Sequence, residues 1–206
     1  MTYKVLSTLI ELQRLKRLDR TGWTLRGLPN GTESVAAHSF GVAVTAMTLA
    51  DELRSLGVPV DTERLLRMAL LHDWAETRVG DLPKTATSYF RGDLRKRAES
   101  EAFADVVCES GSAASLYREL YDEYERRETL ESRLVKAADV IDLLVQALAL
   151  ERAGARGLEE FWAVVNTGEF HLEGPAEDIV NELLNSLLAA RQQVLSGTST
   201  QVTTNV

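Results

Sequence analysis

Apolar side chains recur at helical spacing along most of the chain. Val5, Leu9, Leu12 and Leu15 stand three or four positions apart, so they share one face of an amphipathic helix. This first helix is predicted to end near Thr21-Gly22, where a β-branched residue and a glycine interrupt the pattern. The opening segment therefore predicts a helix with one buried face.

The rest of the chain repeats this alternation of helical patterns and breaks. Residues 23–32 hold three glycine or proline breaks and predict a loop. Ser34 is suited to cap a helix that reaches about Leu56, and Asp61 or Thr62 is suited to cap the next one. After a turn at residues 80–83, the later predicted helices span Arg91–Cys108, Ala113–Arg127, Leu130–Ala153, Leu158–Val165 and about 176–195. No convincing alternating strand occurs, so the pattern predicts an all-α fold.

Length and composition set the domain count and exclude some partners. A chain of 206 residues with 45% apolar residues can bury one full core, which predicts a single domain over residues 1–195. Residues 196–206 carry no pattern and are predicted to form a disordered tail. A net charge of −8 gives no broad basic surface for nucleic acid.

Several features predict a soluble, cytoplasmic protein without a membrane partner. The N-terminal segment is interrupted by charges, unlike the apolar core of a signal peptide. The longest stretch without acidic or basic residues, 34–50, is short for a membrane span and contains His38 among its polar residues. Cys108 is the only cysteine, which excludes an intrachain disulfide and fits a reducing compartment.

The candidate chemistry begins with two histidines in apolar surroundings. His38 lies in ESVAAHSF, and His72 and Asp73 end the apolar run of ALLHDWAETRVGDLP. On a continuous helix, Glu76 would share a face with His72 and Asp73, and Asp81 follows a glycine that lets the chain turn back. Imidazole and carboxylate groups in one small volume suit a divalent transition metal.

A further carboxylate is expected from the late apolar helix. Asp139 and Asp142 both lie in LVKAADVIDLLVQALAL, where an unpaired buried carboxylate would cost several kcal/mol. A metal would relieve that cost. Spacing alone does not choose between the two aspartates as the fourth ligand.

The order His38, His72-Asp73, Asp139 resembles the H…HD…D signature of the HD-domain phosphohydrolase superfamily. The segments LKRLDRTGWTLRG, ESVAAHS, ALLHDWAETRVGDLP and LVKAADVIDLL are similar to its 5′-deoxynucleotidase (YfbR-like) branch. The resemblance extends over roughly residues 9–170 and implies a single HD-domain helical bundle with a metal site in its core. It selects Asp139, which follows LVKAA, over Asp142.

The resemblance also implies a role for each site residue. The implied metal ligands are His38, His72, Asp73 and Asp139. The implied catalytic residues are Glu76 and Asp81. The implied substrate contacts are Arg20, Trp23, Asp73, Lys84 and Asp139, with Arg26 as a rival to Arg20 because a Thr-Gly pair separates Arg20 from Trp23.

The activity implied is metal-dependent hydrolysis of deoxyribonucleoside 5′-monophosphates, with Co²⁺, Mn²⁺ or Mg²⁺ as the cofactor and a homodimer as the assembly. The first alternative is another HD nucleotide phosphohydrolase, either a dNTP triphosphohydrolase or a pyrophosphohydrolase. The second is a metal- or nucleotide-binding module without turnover, against which the presence of both Glu76 and Asp81 argues, since binding alone needs neither.

Overall fold

A computed structural model describes residues 2–87, 89–90, 92–167 and 169–197. Within these ranges the chain forms helices and 3₁₀ turns, with one isolated backbone bridge between Asp19 and Ser34. The prediction of an all-α fold is confirmed. The last nine positions of the predicted tail, 198–206, lie outside the described residues.

The α-helices of the described chain range from four to 23 residues in length. Two 3₁₀ turns, Gln13–Lys16 and Gly111–Ala113, lie between them. The helices are α1 (Thr2–Leu12), α2 (Thr21–Thr24), α3 (Val35–Ser55), α4 (Thr62–Leu71), α5 (Glu76–Val79), α6 (Lys84–Thr87), α7 (Gly92–Val107), α8 (Ala114–Arg126), α9 (Leu130–Arg152), α10 (Glu159–Trp162), α11 (Val164–Thr167) and α12 (Pro175–Leu195).

Four helices form the centre of the core. The helix α9 packs along α3, and α4 and α12 pack against this pair. The inward faces supply fully buried apolar side chains such as Leu53, Leu65, Ile141 and Leu144. Because α9 is covered on several sides, polar groups in its middle are removed from water and need partners inside the protein.

Capping residues fix where the site-bearing helices begin. Ser34 accepts a hydrogen bond from the Ala37 amide and so caps α3, which places His38 in the first turns of that helix. Asp61, rather than Thr62, caps α4 by accepting from the Arg64 amide. Both caps satisfy amides that have no partner within their own helix.

The structure corrects two predicted helix boundaries. The first helix ends at Leu12 and passes into a 3₁₀ turn rather than continuing to Thr21-Gly22. The predicted continuous helix through His72 and Glu76 is wrong, because α4 ends at Leu71 and α5 begins at Glu76. Between them, amides bond to carbonyls three residues back, as in Glu76 to Asp73, so the backbone is wound more tightly than an α-helix.

None of the helices within the described ranges is long and apolar enough to cross a membrane.

Candidate metal and phosphate site

Polar side chains from four segments meet beside the middle of α9. A cavity of about 620 Å³ is lined there by Arg20, Glu76 and Asp81 together with His72, Asp73 and Asp139. His38 lies behind the cavity, completely buried between α3 and α9. The tertiary structure therefore brings together groups that are more than a hundred residues apart in the sequence.

His38 bridges two aspartates of α9. Its Nε2 lies 3.1 Å from Asp139 Oδ1, and its Nδ1 lies 2.8 Å from Asp142 Oδ2. Burial lowers the pKa of His38, but the hydrogen bonds to these two carboxylates outweigh burial and raise it to about 9. Without a metal the imidazole therefore holds an extra proton at neutral pH, which a metal at Nε2 would displace.

His72 presents a nitrogen that has no hydrogen-bond partner. Its Nδ1 is 2.8 Å from the Ala69 carbonyl oxygen, so the proton of a neutral ring resides on Nδ1. Its Nε2 is buried and makes no hydrogen bond, although Asp73 Oδ2 lies 3.2 Å away. A buried lone pair without a donor is costly unless a cation occupies it, so this atom fits a metal ligand.

The carboxylates of Asp73 and Asp139 complete this group of candidate ligands. Ligand atoms of His38, His72 and Asp139 all lie within 4.8 Å of one another. Asp73 Oδ2 is 3.9 Å from His38 Nε2 as well as close to His72. Two imidazole nitrogens and two carboxylates are a donor set that divalent first-row metals accept.

Both aspartates are held in the charged form. Burial raises the pKa of Asp139, but Lys136, whose Nζ donates to Asp139 Oδ2 at 2.6 Å, and His38 hold it well below its usual range. Burial likewise raises the pKa of Asp73, and His72 and Arg20 more than reverse this effect. Both groups are therefore ready to bind a cation without losing a proton.

Glu76 is the acid whose environment favours the neutral form. Its carboxyl group is buried, and Oε2 has no hydrogen-bond partner. Burial and the negative charges of Asp73 and Asp81 raise the pKa of Glu76 well above its usual range. Glu76 lines the same cavity as the candidate metal ligands, so it can hold a proton there.

Arg20 is fixed between two carboxylates. One of its terminal nitrogens lies 3.3 Å from Asp73 Oδ2 and 3.3 Å from Asp81 Oδ1. Asp81 Oδ2 in turn accepts hydrogen bonds from the Thr21 amide at 2.6 Å and the Thr21 hydroxyl at 2.7 Å. Asp81 reaches this place because Gly80 takes a φ of 78°, which turns the chain back.

The backbone around Arg20 is tied to the start of α3. The Arg20 amide donates to the Glu33 carbonyl oxygen and the Val35 amide donates to the Leu18 carbonyl oxygen, each at 2.9 Å. These two bonds form the bridge between Asp19 and Ser34. The backbone of Arg20 is thereby fixed relative to the first turn of α3, the helix that bears His38.

An apolar cavity adjoins the polar one. It measures about 430 Å³ and shares Arg20, Asp81 and Leu82 with the first. Trp23 and Phe161 form part of its wall, with ring centroids 4.5 Å apart. The two cavities therefore lie side by side, with charged side chains lining one and mostly apolar side chains lining the other.

Trp23 and Arg26 are placed differently from the site acids. Trp23 is only 1% exposed, and its Nε1 donates to Glu33 Oε2 at 2.6 Å. Arg26 forms an ion pair with Glu160 at the rim of the apolar cavity. Of the two rival arginines, Arg20 is the one beside Asp73 and Asp81.

The roles of three residues that hold site side chains in place were not predicted from the sequence. Thr21 holds Asp81, Glu33 holds Trp23, and Lys136 holds Asp139. The i, i+3 spacing of Lys136 and Asp139 was a readable signal. The side chain of Lys84 lies outside the described part of the chain, so its predicted substrate contact stays a prediction.

The chain matches a known domain family, curated relatives and solved structures. The HD domain family matches residues 12–169. The chain is 33% identical to 5′-deoxynucleotidase HDDC2 of Danio rerio over 77% of this chain and 76% of that protein. It is 32% identical to 5′-deoxynucleotidase YGK1 of Saccharomyces cerevisiae over 88% and 80% of the two chains. Among solved structures, a conserved hypothetical protein of Pyrococcus furiosus matches with a TM-score of 0.75 and 36% identity, over 91% of this chain and 99% of the other.

The raised pKa of Glu76 predicts a pH-dependent stability of the metal-free protein. The unfolded state releases this proton near pH 4.5, whereas the folded state retains it. The contribution of Glu76 to wild-type stability is therefore complete below that pH and is lost as pH rises towards the folded-state pKa. We expect Glu76→Gln, which cannot ionise, to gain stability relative to wild type from about pH 5 to pH 8, by at most about 1.4 kcal/mol per pH unit.

Urea unfolding of chelator-treated protein at several pH values measures this difference. Exposed Glu182→Gln is the matched control and should run parallel to wild type. A constant difference between Glu76→Gln and wild type across this pH range would show that Glu76 is ionised in the folded protein.

Proposed function

We propose that this chain, which belongs to the HD domain family, is a metal-dependent 5′-deoxynucleotidase. The reaction would cleave a deoxyribonucleoside 5′-monophosphate with water into the deoxynucleoside and inorganic phosphate. The observation that carries the proposal is the junction of two cavities, with candidate metal ligands and Arg20 at one end and apolar side chains at the other. A nucleotide has the same division between a charged phosphate and a largely apolar base and sugar.

His38, His72, Asp73 and Asp139 are proposed to hold the divalent cation, for which Co²⁺, Mn²⁺ and Mg²⁺ are the candidates. When bound there, the cation supplies positive charge against the phosphate and increases the acidity of water. The unpaired Nε2 of His72 and the charged forms of both aspartates support this assignment.

Arg20 is proposed to bind the nonbridging phosphate oxygens. Its guanidinium remains charged and offers paired donors that match phosphate geometry. Asp81 and Thr21 keep it in place, since Asp81 is itself held by the Thr21 amide and hydroxyl. We therefore assign to Asp81 the positioning of Arg20 at the reaction centre.

Glu76 is proposed to transfer protons during hydrolysis. Burial and neighbouring negative charge raise the pKa of Glu76. A cation bound beside those negative charges would lower this pKa towards neutral pH. A carboxyl group with a pKa near the working pH can take a proton from water and give one to the departing 5′ oxygen. No other acid that lines the cavity within the described residues combines burial with an unpaired oxygen.

A monophosphate fits the cations of the cavity better than a triphosphate. Arg95 pairs with Glu99, Arg127 donates to the Tyr124 carbonyl oxygen, and Lys136 is engaged with Asp139. Arg20 is paired as well, with Asp73 and Asp81, but it is the arginine of the cavity lining whose guanidinium lies beside the candidate metal ligands, where a single phosphate could reach it. Comparing dAMP with dATP tests this point, because a triphosphohydrolase releases tripolyphosphate and a pyrophosphohydrolase releases pyrophosphate.

We also propose that the protein is cytoplasmic and forms a homodimer, and exposed apolar residues support the homodimer. Phe40, Val44 and Met47 form a stripe on one face of α3 and are 69%, 41% and 41% exposed. Val145 on neighbouring α9 is 46% exposed. A second copy related by a twofold axis would cover this apolar surface with the same surface of its own.

Two substitutions separate metal binding from catalysis. Asp73→Ala should lose both the metal and phosphate release from dAMP, because it removes a ligand. Glu76→Ala should keep the metal but lose about 10²–10⁴-fold in turnover, the usual contribution of positioned acid–base help. Metal content and phosphate release are measured on the same preparations, with Co²⁺, Mn²⁺ and Mg²⁺ tested in turn. Full metal content in Asp73→Ala, or undiminished turnover in Glu76→Ala, would contradict the corresponding role.

The apolar cavity predicts a preference for deoxyribose. A ribose 2′-hydroxyl placed against Trp23 or Phe161 would lose water without gaining a partner, at a cost of about 1–3 kcal/mol or roughly tenfold to a hundredfold in selectivity. We expect dAMP, dGMP, dCMP and dTMP to be cleaved at higher kcat/KM than the matching ribonucleotides. Trp23→Ala should narrow this gap and Trp23→Phe should retain it. Because Trp23 is a core residue, Phe161→Ala at the same wall provides a second variant. Equal kcat/KM for AMP and dAMP in the wild type would exclude the preference.

The homodimer is tested by light scattering. The protein should show twice the 22.8 kDa mass of one chain at micromolar concentration. Phe40→Glu should produce monomers, whereas Leu56→Glu, at an exposed apolar position at the end of the same helix, should leave the dimer intact. A monomeric wild type would refute the assembly.

A further inference from the structure

The imidazole of His38 is held on both sides by carboxylates of the same helix. Asp139 lies at Nε2 and Asp142 lies at Nδ1, and the two aspartates are three residues apart on α9. The Nε2 side faces His72, Asp73 and Asp139, which line the polar cavity. Asp142 is not among the residues that line that cavity. Both carboxylates therefore contact His38 from the same helix, but only that of Asp139 lines the polar cavity.

A hydrogen bond at one imidazole nitrogen determines what the other nitrogen can do. When Nδ1 donates its proton to a carboxylate, the lone pair of a neutral ring resides on Nε2. The same bond fixes the orientation of the ring and makes Nε2 a stronger ligand. The bond of 2.8 Å between Nδ1 and Asp142 Oδ2 has this geometry.

The backbone of α3 leaves room for Asp142. A Cβ atom at Gly41 would lie 1.9 Å from Asp142 Oδ1 and 2.6 Å from its Cγ. Glycine in the middle of a helix is unfavourable by about 1 kcal/mol relative to alanine, so its presence in α3 calls for a packing reason. The close approach of Asp142 to Gly41 provides one.

We propose that Asp142 is a positioning residue, which orients His38 through Nδ1 and directs Nε2 to the metal, and that Gly41 provides the space it occupies. This inference rests on the proposed metal site but not on the identity of the substrate. It also gives a role to the aspartate that sequence spacing left as a rival ligand.

The competing arrangement places a cation on the other side of the ring. Ligand atoms of Glu33, His38 and Asp142 also lie within 4.8 Å of one another. Glu33, however, already accepts a hydrogen bond from Trp23 at 2.6 Å, and the His38 side chain between the two acids is 1% exposed. The Nε2 side offers the unpaired nitrogen of His72 and opens to the cavity, so it suits a cation better.

A matched pair of substitutions on α9 distinguishes a ligand from a positioning residue. Asp142→Asn keeps an oxygen that accepts from Nδ1, so metal affinity should remain within a few-fold of wild type. Asp142→Ala removes the acceptor and should weaken metal binding by about 10–100-fold. Asp139→Asn replaces a charged ligand with a weaker neutral oxygen and should weaken binding more than either change at Asp142. Metal dissociation constants are measured by titration of chelator-treated protein without substrate.

Gly41→Ala should weaken metal binding in the same direction as Asp142→Ala. Alanine favours the helix, so a weaker metal affinity without a loss of helix content by circular dichroism would identify the displaced carboxylate as the cause. Glu151→Ala is the control for general damage to α9. It breaks a buried ion pair with Arg191 at the C-terminal end of this helix, whereas Asp139 and Asp142 lie in its middle. It should leave metal affinity unchanged.

Ring-nitrogen NMR gives a readout that does not depend on stability or turnover. The chain has three histidines, so the spectrum of the zinc-loaded protein is simple to assign. We expect His38 to be protonated at Nδ1 and coordinated at Nε2 in both the wild type and Asp142→Asn. Coordination at Nδ1, equal losses of affinity in Asp142→Asn and Asp142→Ala, or an unchanged affinity in folded Asp142→Ala would each overturn the proposal. Failure of the deoxynucleotidase assay alone would leave these metal measurements unaffected.

Discussion

The contact between His38 of α3 and the two aspartates of α9 is the interaction on which the site depends. It joins α3 and α9, which pack along each other in the core, by hydrogen bonds of 2.8 and 3.1 Å around an imidazole that is completely buried. A buried carboxylate is costly without a partner, and one imidazole satisfies two of them. Every other polar group of the site is arranged around this pair of helices.

An excess of negative charge follows from that arrangement. Asp73, Asp81 and Asp139 are close enough to raise the pKa of Glu76, and Arg20 offsets only part of their effect. The protein therefore holds Asp73 and Asp139 in the charged form and favours the neutral form of Glu76. A site that binds a cation and moves a proton requires this separation of roles among its acids, because metal ligands must be charged whereas a proton donor must hold its proton.

The surroundings of Arg20 show how a loop can carry a precisely placed charge. The bridge between Asp19 and Ser34 ties the loop to the cap of α3, and the bond from Trp23 to Glu33 anchors its far side in the core. Trp23 therefore serves the site in two ways, since it forms part of the apolar wall and also fixes the segment that bears Arg20. The segment that bears Arg20 thus helps to form the junction between the charged and apolar cavities, together with Asp81 and Leu82.

The sequence by itself determined the helical fold and the identity of most candidate site residues. Helical periodicity depends on local spacing, and caps such as Ser34 act within one turn, so both can be read along the chain. The motif order also indicated His38, His72, Asp73 and Asp139 together. The spacing of Asp139 and Asp142 could not assign them to opposite nitrogens of one ring, because that depends on how α3 lies across α9. Nor could local spacing reveal the break after Leu71 or the choice of Arg20 over Arg26, since distant partners, rather than neighbours in the sequence, determine where those groups lie.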